Sequence, residues 1–170
     1  MLIKQKIGSL NDMEVGSRRI EYLHLQWYEV SKKILHKKTD QNREVTMKFF
    51  GGDESLQQGD VVYTDSDLLI CIDIVAVKAI VCKPASIHEM ALLCYEIGNK
   101  HLALFYDNGE LAMPYDDPVF KMLTAAGFNP VIENRKLLLQ MKTSVTPHGH
   151  GNSTSLFSKI LQLTSSADES

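Results

Sequence analysis

From its start to about Ile74, the chain places apolar residues in short runs or at alternate positions between turn formers, which is the period of β-strands. Residues 2–7 and 20–26 read as short strands. Residues 34–38 and 44–49 face each other across Thr39-Asp40-Gln41-Asn42-Arg43, a turn rich in side chains that bond their own backbone. Gly51-Gly52-Asp53 and Gln58-Gly59-Asp60 break the chain before a strand at 61–63. These elements predict a β-rich first domain over residues 1–74. Residues 67–83 are β-forming almost throughout, so they carry the chain into a second domain without a flexible linker.

The period then changes. Pro84 stops the strand, and Ser86-Ile87-His88-Glu89 has the spacing of a capping box, in which two side chains satisfy backbone amides that a new helix leaves unpaired. Ile87, Met90, Ala91, Cys94 and Ile97 fall on one helical stripe and are expected to face the core, with His88, Glu89 and Glu96 off it. Gly98 and Asn99 are expected to end the helix, leaving His101 at the junction with the next strand. Residues 102–107 and 110–115 flank Asn108-Gly109, a two-residue hairpin signal because both positions accept positive φ. Asp116 and Pro118 cap a second helix whose Val119, Met122, Leu123 and Ala126 share a face and whose stop is Gly127. Strands at 131–133 and, after a polar interruption, 137–141 follow.

The order strand, helix, strand, turn, strand, helix, strand predicts a ferredoxin-like βαββαβ domain over residues 75–145. The fold class is therefore α+β. Both helices lie on one face of such a sheet, so the other face or an edge needs a cover, and a partner subunit is an economical one. Residues 146–170 form a small, polar tail, with 165–170 expected to be disordered. Within the tail, Leu156, Phe157, Ile160, Leu161 and Leu163 form an apolar group able to dock on this protein or on a partner.

Composition narrows the classes. With 170 residues and 44% hydrophobic content the chain can bury a core, and a net charge of −3 gives no electrostatic reason to expect nucleic acid. The first seven residues lack the apolar core of a signal peptide, and the most apolar stretch is broken by Asp73 and Lys78. A cytoplasmic protein with no membrane anchor is expected. Cys71, Cys82 and Cys94 are widely spaced among apolar neighbours, and read as reduced buried thiols. Lys32, Lys33, Lys37 and Lys38 read as a solvated face, and Trp27 and Tyr28 as core or domain-interface aromatics.

The candidate chemistry rests on histidines. A lone imidazole in a soluble domain is more often neither ligand nor catalyst, so His101 gains meaning only with further donors. His148 and His150, one glycine apart, can swing toward the same ion, although tail histidines can equally be plain solvated residues. Imidazole nitrogen suits nickel, copper or zinc. A two-fold dimer would duplicate His101 and supply two nitrogens from one sequence position. No Gly-x-Ser-x-Gly elbow, phosphate-binding glycine loop, His-Glu-x-x-His or dinucleotide fingerprint occurs, which speaks against conventional catalysis. Asp116-Asp117 reads as a helix cap rather than as a catalytic pair.

The run Cys94-Tyr95-Glu96-Ile97-Gly98-Asn99-Lys100-His101, with Asp117-Pro118-Val119-Phe120-Lys121-Met122-Leu123 downstream and Gly59-Asp60-Val61-Val62 before it, resembles the UreE family of nickel-carrying urease accessory proteins. The resemblance implies a peptide-binding-like first domain, a ferredoxin-like second domain that forms a homodimer, and a histidine-bearing tail. It implies nickel, with zinc at the same site as an alternative, held by His101 and its symmetry mate and by His148 or His150. Its partners would be the urease GTPase accessory protein and apo-urease, and its role that of a metallochaperone, not an enzyme. Lys100 stands where the family has arginine, which keeps the charge and loses the planar fork. Tyr115-Asp116-Asp117 replaces extra histidines found in some relatives. A metal-dependent hydrolase and a metal-independent peptide-binding scaffold are the rival readings.

Overall fold

Alternation is realised in the first strands of the computed structural model, which describes residues 1–49 and 55–141. Strands β1 (Leu2–Ile3), β2 (Gly8–Ser9), β3 (Arg19–Leu25), β4 (Ile34–Lys38), β5 (Glu44–Lys48), β6 (Asp60–Thr64) and β7 (Leu68–Ile74) form two sheets, ordered β1-β5-β4 and β2-β6-β7-β3. Leu35, Val45 and Met47 of the first sheet pack with Leu23, Leu25, Val62, Ile70 and Ile72 of the second in one buried core. Of the expected strand at 2–7 only Leu2–Ile3 is strand, and the next, Gly8–Ser9, begins beyond it in the other sheet. β1 runs parallel to β5, the chain crosses at Lys4 to Lys6, and Ile7 N–H then bonds Val61 C=O at 2.9 Å. Polar residues in the middle of the run allow that crossing.

The β4–β5 hairpin has the expected register, Lys38 opposite Glu44. Its turn is tied to β3 by Glu21, which is buried, accepts from Arg43 Nε at 2.9 Å and Nη2 at 2.8 Å, and accepts from Thr39 Oγ1 at 2.9 Å. Those bonds, Arg43's foremost, hold the Glu21 carboxyl below its ordinary value despite burial.

Val75 and Ala76 then carry the chain out of the second sheet. Strand β8 (Val77–Cys82), helix α1 (Ile87–Asn99), strands β9 (Phe105–Asp107) and β10 (Glu110–Pro114), helix α2 (Asp117–Ala125) and strand β11 (Val131–Arg135) follow. The sheet order is β11-β8-β10-β9 with every pair antiparallel, which is the ferredoxin-like arrangement. Asn108 and Gly109 take φ of 48° and 85° in the hairpin, and Gly127 takes 83° after α2. Asp116 Oδ1 accepts Val119 N–H at 3.0 Å as the cap of α2. Residues 137–141 contribute one bridge, Phe105 to Gln140, beside β9 rather than a full strand.

Leu93, Ile97, Val119 and Leu123 of the helices pack on Ile80, Cys82, Leu111 and Met113 of one sheet face. The opposite face, Ala79, Val81, Phe105 and Ala112, packs with Leu137 and Trp27. The Trp27 ring meets Phe105 edge-on, with centroids 5.5 Å apart. The same chain therefore covers the face for which the sequence suggested a partner subunit, through a contact of 78 residues' separation that no local period encodes. Among the described residues, no helix is long and apolar enough to cross a membrane.

Candidate functional site

The site is built at the end of α1. Ser86 Oγ accepts Glu89 N–H at 3.2 Å, and Glu89 Oε2 reaches back to Ala85 N–H at 2.7 Å, one residue before the amide a capping box would use. The helix is pinned by Leu93 and Ile97, both fully buried, with Met90 and Cys94 beside them. Ile87, expected on the core stripe, is 89% exposed, and Ala91 is exposed as well. The inner face thus keeps Met90, Cys94 and Ile97 as expected but takes Leu93 in place of Ile87 and Ala91. His88 is exposed, as expected.

The helix continues through Gly98 and Asn99. It tightens at its end, where Lys100 N–H bonds Ile97 C=O at 3.1 Å and His101 N–H bonds Gly98 C=O at 3.0 Å. The residue that turns the chain is His101 itself, with φ of 54°. The left-handed position is therefore occupied by the candidate ligand and not by the glycine three residues earlier. Histidine is among the side chains that enter this region more readily than most. Leu102, Leu104 and Phe105 then enter the core, so the His101 backbone is fixed from both sides while its ring is exposed. Among the described residues, no side chain hydrogen-bonds or ion-pairs with that ring. On the outward side of α1, Leu92, Tyr95, Gly98 and Asn99 are exposed.

Among the described residues, no three His, Cys, Asp or Glu side chains converge. His101 is thus one accessible nitrogen on a rigid support, and an ion would need donors from elsewhere. His148 and His150, and the apolar group at 156–163, lie outside the described residues. The three cysteines are free, with Cys71 and Cys82 buried and Cys94 half-buried. Burial raises all three thiols, Cys82 to about 11, which disfavours the thiolate a soft metal ion prefers.

A second polar cluster joins the sheets. Asp73 of β7 accepts from Lys136 Nζ at 2.5 Å and from Gln58 Nε2 at 3.0 Å, and lies 3.1 Å from His24 Nδ1. Burial raises its carboxyl, but these partners outweigh that and hold it below its ordinary value. Its sequence signal is an aspartate interrupting the apolar run 68–74.

The sheets and the exposed helix end define a strand-rich α+β protein that presents a fixed imidazole on its surface. The family model described as "UreE urease accessory protein, N-terminal domain" matches residues 3–75. Over 163 residues the chain is 40% identical to the urease accessory protein UreE of Flavobacterium johnsoniae, covering 96% of this chain and 99% of that one. It is 39% identical over 153 residues to UreE of Haemophilus influenzae, with 88% and 82% covered. Against UreE of Helicobacter pylori the identity is 30% over 156 residues, with 89% and 92% covered. The chain belongs to the UreE family of urease accessory proteins. As a member of a family of accessory proteins it is not an enzyme.

Proposed function

We propose that this protein is a nickel metallochaperone of urease maturation. In this reading two copies form a homodimer through the second domain, bringing the exposed strip of Leu92, Tyr95 and Gly98 and the two His101 rings together. One nickel ion is carried per dimer, with His101 from each chain and His148 or His150 as further donors; zinc suits the same nitrogens. A site assembled between subunits from exposed donors releases its cargo more readily than a closed four-ligand cage. The ion passes through the urease GTPase accessory protein to apo-urease in the cytoplasm.

The observation that carries this reading is the placement of His101. Its backbone is held between buried Ile97 and buried Leu104, the residue itself is exposed, and the chain's relatives are urease accessory proteins. The boundary between 1–74 and 75–145 is supported by the change of sheet after Ile74 and by the family match ending at residue 75, while the tail 146–170 lies outside the described residues.

The test is nickel transfer. Apo-urease is incubated with its GTPase accessory protein and limiting nickel, with the parent chain or His101→Ala added, and urease activity is followed. The parent should raise activation well above nickel alone and the variant should not. Equal activation by both would remove His101 from the delivery route and leave a metal-independent scaffold as the better description.

A further inference from the structure

The other end of α1 carries a feature that the metal reading does not use. An open, apolar groove of about 690 Å³ lies between the start of α1, the β9–β10 hairpin and the last described residue. Ile87, Met90, Cys94, Tyr106, Leu111 and Met141 line it. Ile87 is 89% exposed, Met141 50% and Tyr106 45%, so three large apolar side chains stand in water around one depression. Such a contiguous patch marks a binding surface more often than isolated apolar residues do.

The chain itself identifies the occupant. Met141 is a wall of the groove, held there by its N–H bond to Leu104 C=O at 2.8 Å, and residues 142–170 continue from it. Those residues are mostly small and polar until Leu156, Phe157, Ile160 and Leu161, which are spaced to share one face of a helical turn, with Leu163 beyond. The intervening residues 142–155 are ample to leave the groove and return, since each spans up to about 3.5 Å.

We propose that the apolar segment 156–163 docks intramolecularly in the groove formed by α1, the β9–β10 hairpin and Met141. Docking turns 142–155 into a loop anchored at both ends on the groove, and His148 and His150 sit midway along it. Met141 bonds Leu104, three residues after His101, so His101 lies within the span of the seven residues from Met141 to His148. The docking stands whether or not those histidines bind metal.

Cys94 supplies the test, because it lines the groove while Cys71 and Cys82 are fully buried. Native full-length protein and a chain ending at Thr154 are reacted with dithiobis-nitrobenzoate, and the rate of Cys94 modification is measured over a range of protein concentrations. The shortened chain should react at least about tenfold faster, and Phe157→Asp with Ile160→Asp in the full chain should match it. Deletion of 165–170 alone should leave the rate unchanged. Equal rates in the full and shortened chains, fast or slow, overturn the proposal. Protection that weakens on dilution overturns it too, because the occupant would then be a second copy.

Discussion

Substitution at Gly98 separates two accounts of the helix end. Were Gly98 the left-handed cap, an alanine there would be strained and would destabilise the protein by about 1 kcal/mol. In the structure Gly98 lies inside α1, its φ is not positive, and beyond its own helix nothing lies within 4 Å of an added Cβ. Gly98→Ala should therefore stabilise the fold by about 0.5–1 kcal/mol, the helix-interior difference between the two residues. For a chain of this size that corresponds to about 1–4 °C in Tm. His101→Gly is the companion, since the strained position is there. Relief of about 1–2 kcal/mol of left-handed strain is partly offset by about 0.4–1 kcal/mol of added freedom in the unfolded chain. His101→Gly should thus exceed His101→Ala in stability by about 0.5–1 kcal/mol. Urea unfolding followed by circular dichroism measures all three. A loss of stability in Gly98→Ala together with no difference between the two His101 variants would refute the assignment of the turn to His101.

Other consequences are checked in the same way. Glu21 has a lowered carboxyl pKa in the fold, so its contribution is complete above the ordinary value of 4.5 and is lost as pH falls through the folded value. Glu21→Gln should accordingly flatten the acid limb of a stability-versus-pH curve, and an unchanged slope between pH 5 and 3 would contradict the Arg43 pairing. Phe105→Leu should cost at least the roughly 0.5–1.5 kcal/mol of the aromatic pair with Trp27. Trp27 is the one tryptophan of the sequence, so its emission should also shift, and an unaltered spectrum would argue against the contact. Asp116→Ala should lose about 1 kcal/mol through the uncapped Val119 amide, read by thermal unfolding.

The parts of the fold that local chemistry decides were legible in the sequence. Asn108-Gly109 demands positive φ at two positions, and Asp116 and Gly127 mark the ends of α2, so those elements stand where the pattern put them. At α1 the helical period placed Ile87 and Ala91 on the core stripe with Met90, Cys94 and Ile97, but the sheet beneath takes Leu93 instead, and Ile87 and Ala91 are exposed. A glycine next to an asparagine signals a helix stop, yet buried Ile97 and Leu104 on either side set where the chain must turn, which is three residues after Gly98. Trp27 as the cover of the third sheet depended on how two distant segments pack. Of the candidate metal ligands, the sequence singled out His101 by its junction, while further donors for the proposed site would have to come from the segment 146–170 or a second chain.

Nickel stoichiometry tests the shared site most directly. Calorimetric titration of the parent, of His101→Ala and of a chain ending before Thr146, with the mass in solution measured alongside, counts ions per dimer. One tight ion per dimer, lost in His101→Ala and weakened when the tail is removed, is the predicted result. A His101→Ala protein that binds nickel as tightly as the parent would contradict it.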